Sequence, residues 1–213
     1  MIYEFPTPDV PIRQGDIFRG IPKAALSLTE VSILTEQNEP EAARWDDLSD
    51  RNEPIAAVVG LTPVMAIVIT QDCDTIRAPE ISFCEIRPIF DVVKLSTPPK
   101  TPTKWVDFLR RHAVQNLKWF YLPPDGQVGF ADRMAVDFQS VLRVPRDELE
   151  QLRNLRTGRL NTVADEHFRE RLAEFFRRYP YNEWYPFSKI EFEAYRAMSS
   201  DKAENITPYE HQK

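Results

Sequence analysis

Apolar and polar positions alternate with a period near two in several short runs, and a helical period appears only in the second half of the chain. A proline-punctuated arm (Pro6, Pro8, Pro11) leads into a predicted short strand, Asp16–Arg19, followed by a second over Ala25–Ile33. Ile55–Val59 and Met65–Thr70 are β-branched runs separated by Gly60-Leu61-Thr62-Pro63, which reads as a hairpin-like break. Ile81–Ile86, Leu117–Leu122 and Ala135–Val144 complete the strand set, the middle one closed by the turn signal Pro123-Pro124-Asp125-Gly126. Trp105, Phe108, Leu109 and His112 fall at i, i+3, i+4 and i+7, one face of a short helix. A second short helix is expected over Arg146–Asn154. Phe168, Leu172, Phe175 and Phe176 mark a closing helix over Glu166–Arg178, with Thr162 as its N-cap candidate. Short strands followed by late helices predict a mainly β, α+β domain in the form of a small barrel or curled sheet, with helices on its C-terminal side.

Thr35–Glu53 breaks the pattern. It is dense in Asp, Glu, Asn and Pro and is expected to be a long, mobile polar insertion. The expected organisation is one domain over residues 1–178 carrying the insertion at 35–53, and a C-terminal extension at 179–213. That extension opens on the aromatic run Tyr179, Tyr181, Trp184, Tyr185, Phe187, a strip suited to wrapping the domain or to holding a protein partner.

Composition adds stiffness and a charge gradient. The chain of 213 residues has 18 prolines against 6 glycines, so its connections should be rigid and irregular. The net charge of −6 is uneven, since residues 1–60 hold 11 acidic and 5 basic side chains while residues 100–180 hold 11 and 15. The longest apolar tract, Pro54–Thr70, is interrupted by Gly60, Thr62 and Pro63 and falls short of the roughly 20 apolar residues of a spanning helix, which argues against a membrane protein. Two cysteines, Cys73 and Cys84, with no CxxC pair and no signal segment, point to a reduced cytoplasmic setting.

The candidate chemistry sits in Gln71-Asp72-Cys73-Asp74, where acidic side chains crowd a strand end, and in Arg87 on the following strand. Asp72 and Asp74, with Glu80 or Glu85, form an oxygen-rich set suited to Mg²⁺ or Mn²⁺. If the strand continued, the two aspartates would share one side and Cys73 the other. A zinc set of Cys73, Cys84 and His112 has no recognised spacing. Cys73 makes a poor nucleophile, because flanking carboxylates disfavour its thiolate. The structural alternative has Asp72 and Asp74 capping the turn through local backbone hydrogen bonds while Cys73 packs as a small apolar group. His167 should be exposed and His211 lie in a fraying tail. Arginines at 110, 111, 143, 146, 153, 156, 159, 177 and 178 suit phosphate recognition or solvated helix faces, and Trp119, Phe120 and Tyr121 could stack bases where exposed.

The order of these motifs resembles the MazF/PemK family of RNA-cleaving toxins, which have an SH3-like barrel with a C-terminal helix. Gly15-Asp16-Ile17 is similar to its early strand start, Thr62-Pro63-Val64 through Gln71-Asp72 to its apolar strand and polar turn, and Phe83 through Arg87-Pro88-Ile89 to its next strand. Val136-Asp137-Phe138 through Arg143-Val144 and Asp147-Glu148-Leu149, then the closing helix, complete a likeness over about half the chain. In that family an arginine before the first apolar strand and a hydroxyl after the second cleave RNA. Thr62 and Phe90 stand in those places here, with the next hydroxyl at Ser96. The resemblance therefore implies a binding or regulatory protein that has lost the toxin's catalytic pair, set in a toxin–antitoxin or phage-defence system, with a protein partner and a homodimer to be expected. The alternative is a metal-dependent or divergent nuclease acting on RNA or DNA, with Asp72, Asp74 and Arg87 catalytic, and Gln71, Asp72, Cys73, Asp74 and Arg87 around the ligand.

Overall fold

The computed structural model describes residues 2–93 and 99–177, the side chains of 112–115 excepted. His112 as a ligand, Ser96, His211 and the aromatic run 179–187 lie outside the described residues. The elements are β1 (Tyr3–Glu4), β2 (Asp16–Ala25), β3 (Val31–Leu34), β4 (Pro40–Ala43), α1 (Trp45–Leu48), β5 (Ala57–Val58), β6 (Gly60–Val68), α2 (Asp72–Thr75), β7 (Glu80–Pro88), α3 (Ile89–Val93), α4 (Pro102–Gln115), β8 (Trp119–Leu122), β9 (Met134–Pro145), α5 (Arg146–Gln151), β10 (Arg156–Leu160) and α6 (Thr162–Arg177), with a 3₁₀ turn at Arg153–Leu155. Residues Met1–Phe176 form one compact unit. Strands outweigh helices, as expected of an α+β chain.

Seven strands form one antiparallel sheet in the order β1-β10-β2-β6-β7-β9-β8, with β1 and β8 as its edges. Consecutive residues of its strands enter different clusters, as the pleat requires. Ile17, Ile67, Cys84, Ile86, Val136 and Phe138 pack under α6 against Phe168, Leu172 and Phe175. Their sequence neighbours Phe18, Ala66, Val68 and Phe83 pack instead with Ile12 and Leu149 of α5. A third cluster joins Ile89, Phe108, Trp119 and Ala135. Phe168 is fully buried, so Phe168→Ala should cost about 3–5 kcal/mol and release α6.

Several expectations are corrected. The strand predicted at Asp16–Arg19 runs on to Ala25, and Gly60–Pro63 is not a turn: β6 passes straight through it, with Pro63 opposite Pro22. Two prolines facing one another cost the ladder no donor that another group needs, which is why the local turn signal fails. The 35–53 insertion is structured. Its residues 35–39 close a β3–β4 hairpin, Asn38 taking a φ of 61°, and β4-β3-β5 make a separate three-stranded sheet capped by the buried Leu48 of α1. The closing helix begins earlier than its apolar period suggests, and the Asn161 side chain, not that of Thr162, accepts the first-turn amide of Ala164 at 2.9 Å. Strands β1 and β10 have no counterpart in the sequence pattern.

Candidate functional site

Gln71–Asp74 does not extend the preceding strand. Asp72–Thr75 is a single helical turn, so Asp72 and Asp74 lie about 200° apart around its axis and not on one side of a strand. Thr70 Oγ1 accepts the Ser82 amide at 2.7 Å, and Thr75 Oγ1 donates to the Asp72 carbonyl at 2.8 Å, which pins both ends of the turn.

The Asp72 carboxylate reaches across the fold. The Gln14 amide donates to its Oδ1 at 2.9 Å, while Arg13 at 3.2 Å and Arg169 of α6 at 2.7 Å donate to its Oδ2. Its partners are thus distant in sequence and not the local amides that a turn cap would use. Burial pushes its pKa up, but the Arg169 hydrogen bond, the Gln14 amide and Arg13 together hold it below the usual carboxylate range. Gln14 also donates through Nε2 to the Ile69 carbonyl at 2.9 Å. Asp74 turns the other way, onto Arg77 at 2.7 Å, and Cys73 is exposed, not packed.

Gly15 stands at the centre of this junction. Its amide donates to the Val68 carbonyl and its carbonyl accepts the Leu160 amide, both at 3.0 Å, joining β6 to β10. Its φ is +83°, and a Cβ there would lie 2.8 Å from Oδ1 of Asp165. That oxygen is buried with no hydrogen-bond partner among the described residues, while Oδ2 accepts Arg169 at 2.8 Å. Burial raises the pKa of Asp165, with Arg169 opposing it.

One residue further on, Asp16 is fully buried. Arg159 grips it through both nitrogens, Nε to Oδ1 at 2.5 Å and an Nη to Oδ2 at 3.0 Å, and Arg156 donates at 2.9 Å. The same arginines donate to the carbonyls of Thr7, Val10 and Pro11, fastening the proline arm over the sheet. Arg156 and Arg159 therefore serve the interior, not a phosphate.

Arg87 is not brought to Asp72. Pairing of Met65 with Ile86 and of Val68 with Phe83 places Arg87 at the far end of the β6–β7 hairpin, about 13 Å along the strand from Phe83. It donates to Asp137 at 3.4 Å. Glu85, on the same face, accepts the Lys23 ammonium at 2.7 Å and the Ser140 hydroxyl at 2.8 Å, beside a bulge in the β7–β9 pairing. Lys23 stands opposite Thr62. Glu80 faces Arg143 at 3.6 Å. Cys84 is buried in the core, its thiol pushed up to about 12 by burial and by nearby Asp137, and so cannot share a zinc with exposed Cys73. Among the described residues no group of three or more His, Cys, Asp or Glu side chains is gathered to hold a metal.

His167 is exposed, as expected, and lines a groove of about 570 Å³ between α4, β8 and α6. Trp119 is buried, and Phe120 and Tyr121 are half-buried in that groove. No family is matched. Neither a protein-family model, nor a curated protein, nor a solved structure is significantly similar to the chain. No helix among the described residues is long and apolar enough to cross a membrane.

What sequence reasoning missed is the binding set around Asp72, namely Arg13, Gln14, Arg169 and Asp165. The i, i+4 spacing of Asp165 and Arg169 signals a helix-surface pair. Nothing local says that its arginine also reaches a turn 97 residues away.

Proposed function

We propose that this chain is a non-catalytic binding or regulatory protein whose Gln71–Asp74 turn is a clasp and not a metal centre. The observation that carries this reading is the full engagement of Asp72 by Arg13, the Gln14 amide and Arg169. A carboxylate held by two guanidiniums and an amide has little affinity left for a hard cation, which would have to displace them. Asp74 is likewise taken by Arg77. The bulges in β2, β7–β9 and β10 support reading the sheet as a curled, SH3-like barrel left open at its edge. With Thr62 and Phe90 in place of the toxin pair, the MazF/PemK resemblance fits a regulatory component of a toxin–antitoxin or phage-defence system. Thermal melts in millimolar Mg²⁺ or Mn²⁺ test the reading. Wild type should melt at the same temperature with and without the ion. A rise in wild type that Asp72→Asn abolishes would establish a metal site instead.

One observation favours a second reading, an RNA-cleaving enzyme that needs no metal. Lys23, opposite Thr62, shares the Glu85 carboxylate with the Ser140 hydroxyl, so a cation, a base and a hydroxyl meet on one sheet face. Cleavage of single-stranded RNA in the presence of a chelator, lost in both Lys23→Ala and Ser140→Ala, would establish it. Intact RNA would exclude it.

A further inference from the structure

The three-stranded sheet leaves a set of large apolar side chains in water. Leu26 is 78% exposed, Leu28 65%, Val58 55%, Leu61 65% and Trp45 43%. These residues belong to one neighbourhood: Leu61 faces Ala24 across β2 and β6, the Trp45 amide donates to the Leu28 carbonyl at 3.0 Å, and Val58 faces Ser32 on β3. Scattered single apolar residues need no explanation, but five on one small appendage do. The fold does not require them there, because Leu48 already fills the appendage's interior.

The charge around them is one-sided. Residues 35–53 hold seven acidic and two basic side chains, and all seven acids are exposed. Of the two bases, Arg44 is closed on Asp46 at 3.0 Å. Glu39 closes the β3–β4 turn and Glu41 stands on edge strand β4. An apolar centre with an acidic border is complementary to one kind of partner, a segment with apolar side chains flanked by Lys and Arg.

We infer that the β4-β3-β5 appendage is a docking surface for a basic amphipathic segment of another protein. This rests on the binding-protein reading above and gives that reading a partner chemistry. Acidic side chains attract and orient the incoming segment, and burial of its apolar residues against Leu28, Val58 and Leu61 holds it.

The test is binding of a synthetic 18-residue amphipathic helix of Leu and Lys to the full chain, followed by fluorescence anisotropy beside an acidic twin with Glu for Lys. Wild type should bind the basic peptide at least tenfold more tightly than the twin. The Leu28→Ser/Leu61→Ser variant and the Glu39→Lys/Glu41→Lys variant should each weaken it tenfold or more, with unchanged melting temperatures. Val163→Ser, an exposed apolar position on α6, should leave binding unchanged. Equal affinity for the two peptides, or wild-type affinity in the leucine variant, would overturn the inference. Neither result bears on the clasp reading, which fails only through a metal-dependent shift.

Discussion

Two aspartates in this fold are each held by two arginines, and their surroundings give them different work. Asp16 is fully buried, and the side chains of Arg156 and Arg159 are 1% and 10% exposed. Asp72 is 34% exposed, with Arg13 and Arg169 at 52% and 40%. In the interior the charges have lost their water, so each depends on the other and removing one strands the rest. At the surface the same chemistry is screened and contributes modestly, and its value lies in the segments it joins. Asp16 is a structural keystone under the proline arm, and Asp72 is a fastener that sets α6 against the turn after β6.

The sharpest break in this comparison is Asp16→Ala. It leaves two buried guanidiniums without a counter-charge and should cost about 3–5 kcal/mol in urea unfolding, enough to threaten folding. Gly15→Ala should come next, at about 1–3 kcal/mol, because a side chain there meets both a left-handed backbone and the Asp165 carboxylate. Asp72→Ala should cost only about 1 kcal/mol, with the loss reduced at high salt. A cost for Asp72→Ala equal to that of Asp16→Ala would erase the distinction between keystone and fastener.

The smallest effect is in the pH profile, where Asp72 and Asp165 act with opposite sign. The folded pKa of Asp72 lies below the ordinary 3.8, so its stabilisation is present above 3.8 and is lost as pH falls through the lower folded value. Asp165 is raised above 3.8, so the folded state binds its proton more tightly and stability rises as pH falls toward 3.8. Asp165→Asn should remove that small rise above 3.8 and leave the acid loss below it. Chemical unfolding at a series of pH values reads both limbs.

The strands that obeyed alternation and the helix that obeyed its period were legible. β7, β9 and α6 bury the apolar residues the pattern marked. β10 was not, because Arg156-Thr157-Gly158-Arg159-Leu160 looks polar until Asp16, 140 residues earlier, buries its arginines. β6 was misread at Gly60–Pro63 because the turn signal is local while the opposing Pro22 is not. The 35–53 segment looked mobile because it lacks a core of its own composition, yet it is ordered by pairing with Val31–Leu34. For the candidate site, reading Gln14–Asp16 together with Gln71–Asp74 located the junction. Its chemistry was misjudged, since acids that seem to repel one another in sequence are each answered by an arginine supplied through tertiary structure. Arg87, near in sequence, is carried away by the antiparallel register.

A double-mutant cycle on Asp72→Ala and Arg169→Ala measures the fastener itself. The account predicts a coupling of about 0.5–1 kcal/mol in the stabilising sense, unchanged by added Mg²⁺ or Mn²⁺. A coupling of zero, or one that appears only when a divalent ion is absent, would contradict it.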